Sequence, residues 1–219
     1  MPMSLNLDQA RHAMIEQQVR PWEVLDPRVL KTLGAVRRED FVPTAYRELA
    51  FADVPLPIGH GEIMMKPVVE GRLLQALAVA GGDEVLEIGT GTGYLAACLA
   101  RLARAVHSID YHEDFVARAR HRMSVAGISN VRTETADAFT WQPGRTFDAI
   151  AVTAAVARVP ERFGQWLKPG GRMFVVHGLA PVQEAALYTW RGDSLHAESL
   201  FETDIPYLRG AEPVAQFTL

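Results

Sequence analysis

Seven consecutive residues, Glu87-Ile88-Gly89-Thr90-Gly91-Thr92-Gly93, carry the densest chemical signal in the chain. They follow the apolar pair Val85-Leu86 and precede Tyr94-Leu95-Ala96-Ala97, so three glycines lie between a buried strand and a helix. Without a Cβ, the backbone there turns tightly and approaches a ligand closely. The unpaired N–H groups of the first helical turn then face an anion. Glu87, ending the strand, is placed to hold the loop and to offset positive charge on the ligand; capping the neighbouring backbone is its other reading. A dinucleotide fingerprint would put a third glycine three positions after the second. Counted from Gly89 that position is Tyr94, too bulky to pass a pyrophosphate, and a count starting at Gly91 (Gly91, Gly93, Ala96) leaves the first glycine away from the strand end. The expected ligand is S-adenosylmethionine. Its carboxylate suits the helix start, and its ammonium and sulfonium suit Glu87.

Two further carboxylates fit that ligand. Asp110 closes the next strand about twenty residues on, where an acid accepts ribose hydroxyls. Tyr111 follows it, and His112 and Glu113 read equally well as surface residues. Asp137, in Thr135-Ala136-Asp137-Ala138, is placed to take the adenine amino hydrogens while the Ala138 N–H reaches the ring; a helix cap is its plainer reading. Glu87, Gly89, Thr90, Gly91, Asp110, Tyr111, Asp137 and Ala138 are therefore the expected cofactor residues. Met64, Met65 and Thr153 are expected beside the transferred methyl group.

These residues need a scaffold of alternating strands and helices. Strands are predicted at 85–88, 105–109, 131–135, 147–152 and 172–176, and helices at 68–79, 94–102, 113–126 and 159–167, with a turn at Lys168-Pro169-Gly170-Gly171. Short connections in that order imply a doubly wound, mostly parallel α/β sheet with helices on both faces. In front of it a helical extension is predicted: one helix over 7–19, and another capped by Asp26 with Pro27 in its first turn. Residues 54–61, with two prolines and two glycines, read as an extended connection. Antiparallel additions are predicted at 185–190, 195–200 and 214–218. The whole of 1–219 is expected to form one domain, with extension and loop at 1–67, cofactor core at 68–180 and final strands at 181–219.

Bulk properties narrow the setting. The 219 residues are 48% hydrophobic and 22% charged, ordinary globular proportions. A net charge of -4 argues against a partner gripped through phosphates, so no nucleic acid is expected. Arg101, Arg104, Arg118, Arg120 and Arg122 are close enough in sequence to form a local basic patch, although a solvated helix surface explains them too. The one cysteine, Cys98, sits in an apolar run and reads as a buried thiol suited to a reducing compartment. With no signal-like start and no apolar stretch of the roughly 20 residues that span a bilayer, the expectation is a cytoplasmic protein without a membrane partner.

The chain resembles the protein-L-isoaspartate O-methyltransferases over nearly its whole length. The resemblance is carried by Met14-Ile-Glu-Gln-Gln-Val-Arg20, Asp26-Pro-Arg-Val-Leu30, Phe41-Val-Pro43, Leu56-Pro-Ile-Gly-His-Gly61, Val85 to Tyr94, Phe147-Asp-Ala-Ile-Ala-Val-Thr-Ala-Ala155 and Leu167-Lys-Pro-Gly-Gly171. Members of this family methylate the free α-carboxylate of an isoaspartyl residue in damaged protein, which lets the chain revert through a succinimide. The resemblance implies a protein or peptide carboxylate as acceptor. The family's active loop reads Gly-x-Thr-Ile-Ser-x-Pro, whereas here it is Gly61-Glu-Ile-Met-Met-Lys-Pro67, so Ile63 and Met65 replace the threonine and the active serine. Phe51 likewise stands where tyrosine is usual. A carboxylate is already ionised at neutral pH, so its methylation needs alignment and desolvation rather than a base. A hydroxyl can hold it and a methionine cannot. His60, Ile63 and Lys66 are the expected acceptor-side residues, with His60 or Lys66 or backbone N–H groups as replacement donors. Three readings stay open at this point: the family reaction, a small-molecule or other apolar acceptor, and a cofactor-binding adaptor without turnover. No metal is expected, and the oligomeric state is not legible.

Overall fold

The computed structural model of the protein describes residues 6–214. Asn6 accepts a hydrogen bond from the Gln9 N–H and opens α1 (Leu7–Met14). The run continues as a π turn over Ile15–Val19 and a 3-10 turn over Arg20–Trp22, where Pro21 has no N–H with which to extend it. The helix expected over 7–19 is therefore present with a widened second half. The Asp26 side chain accepts from the Arg28 N–H and Pro27 starts α2 (Pro27–Ala35), as its capping residues predict.

Residues 54–61 are only partly a connection. Leu56–Gly59 forms β1, which pairs antiparallel with β2 (Glu62–Met64) in a register of Leu56 opposite Met64 and Pro57 opposite Ile63. The two-residue link uses positive φ at both His60 (56°) and Gly61 (83°), the left-handed pair that matches strand twist in tight hairpins. Prolines and glycines mask such a hairpin in the sequence. α3 (Pro67–Leu77) follows immediately, so the hairpin is fixed at one end to a buried helix.

From there the alternation holds. β3 (Glu84–Ile88), α4 (Tyr94–Leu102), β4 (Ala105–Asp110), α5 (Glu113–Val125) and β5 (Val131–Thr135) build one half of the sheet. β6 (Phe147–Val156), α6 (Glu161–Gln165), β7 (Leu167–Leu179), β8 (Val182–Arg191) and β9 (Ser194–Thr203) build the other. The strand order is β5-β4-β3-β6-β7-β8-β9, parallel from β5 to β7 and antiparallel beyond it. The expected turn at 168–171 is a bulge inside β7: Phe147 pairs with Leu167 but Ala149 pairs with Arg172. α6 is shorter than expected, and β6 runs past Val152 because Ala155 finds partners in both β7 and Tyr207. The final strand expected at 214–218 lies outside the described residues except for Val214, which is in no strand. The fold is the doubly wound, mostly parallel sheet expected from the alternation. Among the described residues, no helix is long and apolar enough to cross a membrane.

Apolar residues cover both sheet faces. One core cluster includes Leu73, Leu77, Leu99 and Phe115 from α3, α4 and α5, and the other gathers Phe163, Trp166 and Ile150. Into the first is set a charge. Arg38 is fully buried and donates to Ala50 O at 2.8 Å, to Met65 O at 2.7 Å and to the Glu70 carboxylate, with the Tyr94 ring 4.8 Å away. One guanidinium thus ties the N-terminal extension to α3 and to the residue that follows β2. Breaking such a buried pair leaves an uncompensated charge and costs about 3–5 kcal/mol, whereas removing both partners costs far less. Arg38→Met should lower unfolding stability by that amount in urea at pH 8, and Arg38→Met with Glu70→Leu should recover most of it. A single variant as stable as the parent would contradict this role.

Candidate functional site

The sheet changes winding direction between β3 and β6, and open α/β sheets bind ligands at the carboxyl ends of the strands at such a point. A pocket opens there, walled by the ends of β3, β4 and β6 and roofed by the β1–β2 hairpin. Gly89, Gly91 and Gly93 all adopt positive φ (103°, 50° and 84°). At Gly89 a Cβ would collide with the Thr153 hydroxyl, which sits 2.7 Å from Gly89 O and 3.0 Å from Ile88 O. At Gly91 it would press on Ile58 of the hairpin at 3.3 Å. The glycines are therefore required by close approach as well as by backbone angle.

Three carboxylates meet this loop. Glu87 is 0% exposed at the pocket floor; Ser108 donates to its Oε2, while its Oε1 has no hydrogen-bond partner. Burial pushes its pKa up to about 8, with Asp110 and Glu70 adding like charge. Asp110 accepts from the Gly91 N–H (2.8 Å) and the His112 N–H (2.9 Å), and burial raises its pKa against these two bonds. Each oxygen keeps a lone pair for a ligand. Asp137 Oδ1 accepts from the Phe139 N–H at 2.8 Å, so it does cap its turn, yet it also lines the pocket beside buried Ala138. Tyr111 lines the mouth with the Arg209 guanidinium stacked over its ring at 4.2 Å.

The hairpin supplies the opposite wall: Ile58, Glu62, Ile63, Met64 and Met65, with Glu70 of α3 behind them. Met65 is 5% exposed and its carbonyl is held by Arg38. The two side chains expected as replacement donors lie elsewhere. Lys66 is exposed at the N-cap of α3 and His60 is exposed at the hairpin tip; neither is among the pocket residues. His60 stacks on His112 (4.0 Å between rings, 9° apart) and its Nε2 lies 3.0 Å from Asp114. His60, His112 and Asp114 bring possible ligand atoms within 4.8 Å of one another. Two parallel rings aim their in-plane lone pairs past each other, so the trio reads as a latch from hairpin to α5 rather than a metal cage.

Several lining residues carried no signal in the sequence. Leu208 and Arg209 arrive because Leu208 N donates to Ala155 O (2.7 Å) and Ala155 N to Pro206 O (2.8 Å). Glu70 sits within an apolar helical face, and Glu62 and His112 resemble solvated residues until the hairpin folds over them. Glu62 could have been suspected, since it adjoins the glycine of the altered loop.

These residues fit S-adenosylmethionine. A buried carboxylate with a free oxygen would balance its positive charge, the glycine cradle that a Cβ would fill would leave room for its amino-acid end, and Asp110 and Asp137 with the Ala138 amide would offer partners to sugar and base.

The comparisons with known proteins agree. The pattern of the family "Protein-L-isoaspartate(D-aspartate) O-methyltransferase (PCMT)" matches residues 9–204. A protein-L-isoaspartate O-methyltransferase 2 of Anaeromyxobacter sp. (strain Fw109-5) is 40% identical over 178 residues, covering 81% of this chain and 72% of its own. A protein-L-isoaspartate O-methyltransferase of Methylorubrum populi is 36% identical over 206 residues, covering 93% and 97%. Among solved structures, one described as a protein-L-isoaspartate O-methyltransferase from Plasmodium falciparum, in complex with S-adenosyl-L-homocysteine, superposes with a TM-score of 0.80 over 94% of this chain and 99% of that one. At 18% identity, that likeness speaks to the fold. The chain belongs to the protein-L-isoaspartate(D-aspartate) O-methyltransferase family and is an S-adenosylmethionine-dependent methyltransferase.

Proposed function

We propose that this protein methylates a carboxylate on a protein or peptide acceptor, and that it does so slowly on isoaspartyl residues because its loop offers them no hydroxyl. The observation that carries this reading is the hairpin wall itself, in which Ile63 and buried Met65 stand in the pocket where the family has threonine and serine. The cofactor supplies an electrophilic methyl group on sulfur. The chain's own residues do the rest: Glu87 balances positive charge from the floor, the 89–93 loop receives the amino-acid end, Asp110 and Tyr111 hold the ribose, and Asp137 with the Ala138 N–H holds the adenine. Thr153, Met64 and Met65 border the transfer point and exclude water from it.

His60 and Lys66, both outside the pocket, serve the acceptor only at the approach to the site. A second reading is favoured by the same wall. Ile58, Ile63, Met64, Met65 and Leu95 make an apolar surface that suits a less polar acceptor better than an ion.

Losing a hydrogen bond to a charged group costs about 1.5–3 kcal/mol, or roughly ten- to a hundredfold in rate. With labelled cofactor and an isoaspartyl peptide, Met65→Ser should therefore raise methyl transfer about ten- to a hundredfold. Transfer by the parent at the rate of hydroxyl-bearing relatives would overturn the slow-acceptor reading. No transfer from either protein would favour the apolar acceptor.

The raised pKa of Glu87 gives a second test. At pH 7 its carboxyl is mostly protonated in the free protein, and an arriving cation favours the ionised form, so binding expels a proton below about pH 8. Affinity for S-adenosylmethionine should rise from pH 6 to pH 8 and level off above, and Glu87→Gln should flatten the profile. The sign reverses for stability. A carboxyl raised on folding favours the free protein below its ordinary value of 4.5 and ceases to do so as pH climbs through about 8. A parent affinity that ignores pH would remove Glu87 as the counter-charge.

A further inference from the structure

The five arginines that crowd together in sequence differ in their partners. Arg104 pairs with Glu84 at 3.0 Å, Arg118 with Asp114 at 2.7 Å, and Arg120 bonds to the Thr133 hydroxyl at 3.1 Å. Arg101, Arg120 and Arg122 have no carboxylate partner among the described residues, and of these Arg101 and Arg122 line one groove of about 600 Å³. It runs between the end of α2 with the 3-10 turn Arg38–Asp40 on one side and α4 with α5 on the other.

Four arginines line this groove (Arg37, Arg47, Arg101, Arg122) against two carboxylates, Glu39 and Asp40, with His121 beside them. Both carboxylates are already engaged: Glu39 by Arg11 and Arg37, Asp40 by Arg37 and Arg47. A chain of net charge -4 thus presents a locally positive trench. Its walls are apolar as well, with Phe41, Ile128 and Val125, the last 77% exposed.

Arg122 connects this trench to the site. It is half-buried, its only side-chain hydrogen bond among the described residues runs to Thr92 O in the glycine loop at 3.2 Å, and burial beside Arg118 lowers its pKa. It also lines a second groove, with Arg118, Pro57 and Gly59, on the outer side of the hairpin. Ile58, Gly91, Thr92 and Phe115 border both that groove and the cofactor pocket. A ligand lying from Arg101 past Arg122 to Pro57 would therefore reach the hairpin that carries Ile63 and Met65. A single small anion fills only part of such a run, whereas an extended polypeptide fills all of it.

We propose that this trench docks the acceptor polypeptide through an extended segment with acidic side chains against Arg101 and Arg122 and apolar ones against Val125 and Ile128. The inference rests on the protein-acceptor reading above and adds a preference: acceptors flanked by acidic and apolar residues are selected.

The test is binding, so that it stands apart from turnover. Fluorescence anisotropy is measured on the full chain saturated with S-adenosylhomocysteine, using a labelled peptide of alternating aspartate and valine and its asparagine counterpart. The aspartate peptide should bind at least about tenfold more tightly, and Arg101→Glu with Arg122→Gln should lose about tenfold, the loss of roughly 1.4 kcal/mol of charge attraction. Glutamine keeps a donor for Thr92 O, and exposed Arg101→Glu alone should show part of the effect if the double variant is poorly folded. Equal affinity for the two peptides, unchanged affinity in folded variants, or displacement of nothing but inorganic phosphate would overturn the proposal. Charge-dependent binding without methylation of isoaspartyl versions would leave the trench standing while the carboxylate reading fell.

Discussion

A single carboxylate at the end of β4 organises this molecule's chemistry. Asp110 accepts from the Gly91 N–H and the His112 N–H, and so joins the glycine loop after β3 to the start of α5 across the parallel pair that flanks the winding reversal. Gly91 cannot carry a side chain without pressing on Ile58, so the loop held by Asp110 in turn seats the hairpin. His112, positioned by the same carboxylate, stacks on His60 at the hairpin tip. Glycine loop, Asp110 and hairpin are consequently one mechanical unit, and a displacement of any of them is felt by the others.

The hairpin's other end is fixed from below. Arg38 reaches the Met65 carbonyl from the core and is neutralised by Glu70, so the altered loop is not a loosened one. The replacement of serine and threonine by methionine and isoleucine changes the chemistry of a wall that remains rigidly placed. On the reading proposed above, donor and acceptor are gripped by different parts: the donor by strand ends and backbone amides, the acceptor by loop side chains. Loop side chains can be exchanged without disturbing the sheet.

What was legible in the sequence follows the same division. Gly89, Asp110 and Asp137 could be placed at the pocket because each follows or ends a strand, where the local pattern is strongest. The helix cap at Asp26 and the period of the strands are equally local. Arg209 and Leu208 were invisible because a bridge between Ala155 and Tyr207 brings them in, and nothing in the local sequence marks that pairing. The hairpin at 56–64 was hidden by its own prolines and glycines, which read as a loop until the left-handed pair His60-Gly61 closes it. Arg38 and Glu70 stand 32 residues apart, and only three-dimensional packing makes them partners.

The claim on which all of this turns is that the carboxyl edge of the sheet grips an adenosyl sulfonium through the glycine cradle. Isothermal titration of S-adenosylmethionine into the intact protein, repeated with Gly89→Val, tests it most directly. A one-to-one isotherm that vanishes in the variant, while the variant's circular dichroism stays that of the parent, is the expected result. An absence of heat with the well-folded parent, or an unchanged isotherm with valine at position 89, would contradict it.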